Sequence, residues 1–150
     1  MKKMSIEEAI KHLGDVNDAV FPALEQGMRV VCTKISDDIK ESMAKTTRDS
    51  SRSYHTHNKK IPHHPSAPGN PPAPDTGNLR NSIRFSVENA GNAVKGRIGS
   101  TQNKPPYGAY LEYGTSNILP RPWLAPAIER NTDFMRDTFS SAVQKAVEGK

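Results

Sequence analysis

The sequence predicts an α+β fold: a long N-terminal helix and a C-terminal helix packed on a small antiparallel sheet, with a long extended proline-rich arm. Three patterns predict it. Val16, Val20, Leu24, Met28, Val31, Ile35, Ile39 and Met43 recur at steps of three or four, which is one face of a helix. Ile83, Phe85 and Val87, and then Val94, Gly96 and Ile98, alternate with polar residues at the period of a strand. Ile128, Met135, Phe139, Ala142, Val143 and Ala146, with Phe134 beside them, return to the helical period.

In chain order, Ser5-Ile6-Glu7-Glu8 has the spacing of a capping box and opens a short helix through Leu13, with Gly14 as its stop. Asp15 can cap the next element, the helix of the long stripe. Pro22 lies inside that stripe and predicts a kink or an effective start. A helix of about 24 to 30 residues is roughly 36–45 Å long. One small sheet cannot cover it, so either neighbouring subunits bury its ends or part of it stays exposed.

Residues 46–77 change character. Thr46–Ser53 is polar, Tyr54–His64 is basic and histidine-rich, and Pro62, Pro65, Pro68, Pro71, Pro72 and Pro74 follow closely. Such a stretch carries too little apolar area to offset its ordering entropy, and where ordered it should be extended. A connection this long inside a compact domain points to an outside contact that holds it.

Asp75-Thr76-Gly77 can start a short helix through Leu79 and Ser82. A hairpin across Asn89–Asn92 with Val87 opposite Val94 also sets Ile83 opposite Ile98, giving one apolar face. The same register sets Arg84 against Arg97, so these two should splay or find acids. The last helix is predicted from Pro126 to Val147.

Tyr107–Ile128 concentrates three of the four tyrosines and the only tryptophan. Tyr107, Tyr110 and Leu111 fall at i, i+3 and i+4 on a two-turn helix that should stop at Gly114. Pro120, Pro122 and Pro126 exclude a continuous helix beyond it, and Pro126 suits the first turn of the next one. The segment reads as a core or interface corner.

Composition narrows the classes. At 150 residues the chain suits one domain with an arm, over residues 46–77, and an apolar fraction of 34% makes the core small for that length. A single cysteine, Cys32, lies at the centre of the long stripe, where a small core residue is expected; it excludes an internal disulfide and a cysteine zinc site. No apolar run approaches the ~20 residues of a membrane span, and the start turns acidic too soon for a secretory leader, so a soluble protein of a reducing cytoplasm is expected. The net charge of +5 sits chiefly in residues 45–64, where Lys45, Arg48, Arg52, Lys59 and Lys60 face one acid, Asp49.

Candidate chemistry is sparse. His55 and His57 would share a strand face, with His63 and His64 following, yet this segment lacks the rigid element that holds metal ligands, and a solvated basic arm is the favoured reading. No phosphate-binding loop, nucleophile elbow or zincin motif occurs, so neither catalysis nor a cofactor is expected. Asp37-Asp38 and Glu7-Glu8 read as solvated helix charges. Glu112 is expected to be partly buried in an ion pair with Arg121 or Arg97. The basic strip, Arg48, Arg52, Lys59 and Lys60 with Tyr54, could contact phosphates or an acidic protein partner. Together with His55, His57, Tyr107, Tyr110, Glu112, Arg121 and Trp123, these residues form the candidate partner interface.

Two stretches carry a resemblance. Ser66-Ala-Pro-Gly-Asn-Pro-Pro-Ala-Pro-Asp-Thr-Gly-Asn-Leu-Arg-Asn-Ser-Ile83 is followed by Tyr107-Gly-Ala-Tyr-Leu-Glu-Tyr-Gly-Thr115 and Arg121-Pro-Trp-Leu-Ala-Pro-Ala127. In order, spacing and intervening hairpin, the set resembles the neck, or tail-completion, proteins of long-tailed bacteriophages and prophages. The match spans residues 66–130 and extends loosely to the flanking helices, while the basic insert at 48–64 lies outside the pattern. The resemblance implies a structural protein of the virion neck, assembled in the host cytoplasm as a ring, commonly six-fold. Such a ring joins the DNA-filled head, at its connector or stopper, to the tail tube or its terminator. DNA passes through without sequence-specific contact, and no enzyme activity or cofactor is implied. A tail-terminator ring is the nearest alternative, and a nucleic-acid-binding module using the arm is the next.

Overall fold

The computed structural model describes residues 5–51, 53, 62–91, 93–101 and 107–149. The α+β architecture is as predicted. Helix α1 covers Ile6–Lys45, α2 Asn78–Ser82, strands β1 Ile83–Asn89 and β2 Val94–Ser100, then α3 Tyr107–Tyr113, α4 Ala125–Arg130 and α5 Thr132–Glu148. The strands form one two-stranded sheet. The chain divides into two compact units that interleave in sequence.

The first unit draws on Met1–Thr33, Ser86–Arg97 and Thr132–Lys150. The capping box forms as predicted: Ser5 N–H donates to Glu8 Oε2 at 2.8 Å, and Glu8 N–H donates to Ser5 Oγ at 3.1 Å. The helix it opens does not stop at Gly14. It runs unbroken through Gly14 and Pro22 for 40 residues, about 60 Å at 1.5 Å per residue. Gly14 is not in the left-handed conformation that a helix stop requires, and the apolar stripe keeps its phase across both positions. Ile6, Ile10 and Leu13, at the start of the helix, stay exposed.

Two contacts tie this unit together. At Gly96 of β2, an added Cβ would lie 2.6 Å from the Met28 sulfur and 2.8 Å from Cys32 Sγ, so glycine is what lets α1 come so close to the strand. At Gly27 of α1, the Phe139 ring and Ala142 of α5 pack at 3.4–3.7 Å from the same construction. Cys32 is buried, and burial pushes its thiol pKa up. None of the residues of α5 is buried.

The second unit draws on Lys34–Phe85 and Ile98–Asn131. Its core gathers Ile35, Ile39 and Met43 of α1 with Leu79, Ile83, Leu111, Trp123 and Ala127, all buried. Gly77 takes φ 76° before α2, and Ser82 Oγ bonds both Leu79 O and Ser100 Oγ at 2.7 Å.

The hairpin register differs from the expected one by two residues. Ala90 N–H donates to Ala93 O, and Thr101 N–H donates to Ser82 O, which places Val87 opposite Gly96, Phe85 opposite Ile98 and Ile83 opposite Ser100. A shift of two keeps every side chain on its predicted face. It also separates the arginines: Arg97 pairs with Glu88, while Arg84 donates to the carbonyls of Asn81 and Ile83.

The predicted last helix is two helices. Asn131 sits between α4 and α5, buried, at φ −100° and ψ 9°. Its amide Nδ2 donates to Ala127 O at 2.8 Å and to Asp38 Oδ2 at 3.0 Å. A side chain that takes the i−4 carbonyl competes with the helical ladder and ends it there. Asp38 therefore is not a solvated-face charge. It also receives Arg130 through Nε and Nη2, at 3.2 and 3.0 Å.

Candidate interaction site at the Tyr107–Ile128 corner

Helix α3 forms and stops where predicted, with Gly114 at φ 76°. A Cβ there would meet Ile118 O at 2.8 Å. The chain turns at once: Thr115 N–H donates to Ile118 O at 2.8 Å, and the Thr115 hydroxyl accepts from Asn117 and Ile118. Arg121 N–H then returns to Leu111 O at 2.6 Å, satisfying a carbonyl that the helix end leaves open.

The buried face of α3 is Gly108, Leu111 and Glu112, rather than the Tyr107, Tyr110 and Leu111 stripe. Tyr107 and Tyr110 are about two-fifths exposed, and Tyr113 and Leu119 are more so. These four present an apolar and aromatic surface, the composition favoured where proteins meet. Burial raises the Tyr107 phenol pKa, against a smaller lowering by the Arg121 charge, and Asp75 adds a further rise.

Glu112 is buried, but among the described residues no arginine is its partner. Its Oε2 accepts N–H bonds from Trp123 at 2.7 Å and Leu124 at 3.0 Å, and its Oε1 accepts one from Ala125 at 3.0 Å. Leu124, the cap residue of α4, offers no side-chain bond, so the carboxylate of Glu112 satisfies the open N–H groups at that helix start instead. A negative charge at this end also meets the helix dipole favourably. Trp123 is buried, with Nε1 donating to Gly108 O at 2.9 Å. Arg121 is buried too; its Nε donates to Ser66 O at 2.9 Å and its Nη1 to Leu119 O at 3.2 Å.

Over residues 62–74 the proline-rich segment forms no helix and turns at Pro68–Gly69, and its own chain holds it. Asp49 N–H donates to Pro65 O at 2.8 Å, Gly69 N–H to Pro120 O at 2.9 Å, and Arg48 Nη2 to Pro74 O at 2.9 Å. Ser66 and Pro72 are buried, and His63 lies 3.4 Å from an Asp75 carboxylate oxygen. The entropy cost of ordering residues 62–77 is offset by these backbone bonds, which take the place of a hydrophobic face.

The candidate interface thus divides. Glu112, Arg121 and Trp123 lie inside the corner and shape it, Tyr107 and Tyr110 reach its surface, and Arg48 is engaged with Pro74. Arg52, Tyr54, His55, His57, Lys59 and Lys60 lie outside the described residues, as does most of the basic strip. Among the described residues, no three His, Cys, Asp or Glu side chains gather into a group that could hold a metal. Sequence reasoning missed Asp38, Asn131 and Ser66, for which nothing in their spacing gave a signal. Set against known proteins, the chain matches no family model, no curated sequence and no solved structure.

Proposed function

We propose that this chain is a structural subunit of a bacteriophage neck, forming a six-fold ring that joins the connector or stopper of a DNA-filled head to the tail. One observation carries the reading. The two stretches on which the family resemblance rests, Ser66–Ile83 and Tyr107–Ala127, fold against each other as a single corner through Gly69 with Pro120 and Ser66 with Arg121. Motifs that are separate in sequence but interlocked in space form one structural unit, as expected if the two serve a single role.

Two further features support a subunit completed by neighbours. The α5 helix buries none of its residues, and Ile6, Ile10 and Leu13 are 65–80% exposed along one face at the start of α1. Helices with uncovered apolar faces are what heterologous ring contacts can cover. The role is one of joining, without enzyme activity, in the virion neck.

The test is genetic and biochemical together. A phage lacking this chain should accumulate filled heads and complete tails that do not join, and purified protein should restore joining. Normal joining in its absence would overturn the proposal. Tails of irregular length in the same strain would instead assign the chain as a terminator of the tail tube.

A further inference from the structure

The net charge of the chain belongs to one of its two units. Residues 34–85 and 98–131 hold twelve Lys and Arg against seven Asp and Glu, whereas the rest of the chain holds nine of each. The second unit therefore carries the whole positive excess, and a field of one sign draws ligands of the other.

On that unit, an open cleft of about 590 Å³ is lined by Lys40, Glu41, Arg80, Asn81 and Arg84. Helix α1, helix α2 and strand β1 each bring one cation to it. Among the described residues, the side chains of Lys40 and Arg80 have no hydrogen-bond or ion-pair partner. Arg84 is held in place through Nη1, which donates to Asn81 O at 2.7 Å and to Ile83 O at 2.8 Å. Those carbonyls are neutral, so its charge stays uncompensated, and its Nε and Nη2 keep their N–H groups for another acceptor. The one acid of the cleft is already taken. Lys45 Nζ lies 2.5 Å from Glu41 Oε1, and that bond, with the Lys45 charge, holds the Glu41 carboxyl below the usual carboxylate range. Lys45 is also where residues 45–64, the most basic stretch of the sequence, begin.

Like charges gathered without a counter-charge repel, and the folded chain bears that repulsion until an anion relieves it. One carboxylate would answer one of the three cations. A phosphodiester chain brings a negative charge with every nucleotide and can meet them in series. The acidic side chains of a peptide would each lose rotamer freedom on pairing, whereas backbone phosphates are already in place along the strand.

We propose that the Lys40, Arg80 and Arg84 cleft binds the phosphate backbone of nucleic acid, without reading its sequence. The three cations contact phosphate oxygens, and Asn81 adds a neutral amide donor beside them. This assignment stands apart from the neck proposal, since it concerns the charge of one face and not a role in joining.

The test uses the full chain and a fluorescein-labelled DNA duplex of about 20 base pairs, followed by anisotropy between about 50 and 200 mM salt. Each phosphate contact contributes about −0.9 to the slope of log affinity against log salt, so three contacts predict a loss of at least about fortyfold over that range. A duplex of unrelated sequence should bind equally. Lys40→Gln alone should flatten the slope by about 0.9, and Lys40→Gln with Arg80→Gln by about 1.8. Neither change breaks a hydrogen bond or ion pair among the described residues, so both variants should melt no lower than the parent. Poly-glutamate of similar length should not displace the duplex. No binding at the lower salt, an unflattened slope in the double variant, or displacement by poly-glutamate would each overturn the assignment. Duplex binding is read without heads or tails, so this result and the joining test stand or fall separately.

Discussion

Glu112 shows how one residue serves two segments. Its carboxylate takes three N–H groups at the start of α4, so the end of α3 and the start of α4 are locked by a single side chain. Glu112→Gln keeps the size but removes the charge and turns one acceptor into a donor facing N–H. It should lower stability by about 1–3 kcal/mol, measured by urea denaturation, with an unchanged m value. Trp123→Ala removes a buried ring and the donor to Gly108 O, and should cost about 3–5 kcal/mol by the same measurement. A loss under 1 kcal/mol in either would mean that the corner does not depend on that contact.

Tyr107 gives a pH signature at the same scale. Its folded pKa is raised above the ordinary 10.0, so the folded protein holds this proton more tightly than the unfolded chain does. That contribution is fully present below pH 10 and is lost as pH rises through the folded value. Melting temperature between pH 9 and 11 should therefore fall less steeply in Tyr107→Phe than in the parent. Parallel curves for the two proteins would contradict the burial of this phenol.

At the scale of elements, α1 and the hairpin show where periodicity suffices and where it does not. Alternation identifies both strands and their faces, because side-chain direction repeats every two residues. It cannot separate two registers that differ by two, since both keep the same face inward. The observed register sets Gly96 opposite Val87 and against Met28 and Cys32, where the expected register would set Val94 and its larger side chain. Gly96→Ala should destabilise by about 1–3 kcal/mol, the usual cost of overpacking, read as a lower melting temperature. A neutral result would show that the Met28 side chain moves aside freely and that Cys32 Sγ is no barrier.

Helix ends show the same division. Ser5 with Glu8, and Gly114, were legible because each satisfies a local requirement: open N–H groups in one case, a left-handed residue in the other. Gly14 resembled a stop and is not one. A glycine costs a helix only about 1 kcal/mol, so a stripe continuing in phase beyond it can carry the helix through. The break at Asn131 combines a local bond to Ala127 O with a distant one to Asp38, 93 residues away in sequence, which its neighbours along the chain do not announce.

For the whole molecule, the two units differ in how much they bury. The second has a core with Ile39, Met43 and Ile83 fully enclosed, whereas the first leaves α5 without one buried residue. The ring proposed above would leave such faces for neighbouring copies to cover, and it predicts a mass. Native mass spectrometry of the purified chain, alone or with tail partners, should show six copies of the 16.5 kDa subunit. A monomer under both conditions would count against the ring.

The sequence by itself determined the α+β class, the capping box, the stop at Gly114, the strand faces and the location of the corner. Each follows from short-range rules: a 3.6-residue or two-residue repeat, or the backbone freedom of one glycine. Tertiary structure alone decided the hairpin register, the partners of Glu112, Asp38 and Arg121, and the ordering of the proline-rich segment. Those depend on which distant groups are left with open hydrogen bonds after the helices pack. A buried polar group takes whatever donor or acceptor the fold brings to it, and that is not written in its neighbours along the chain.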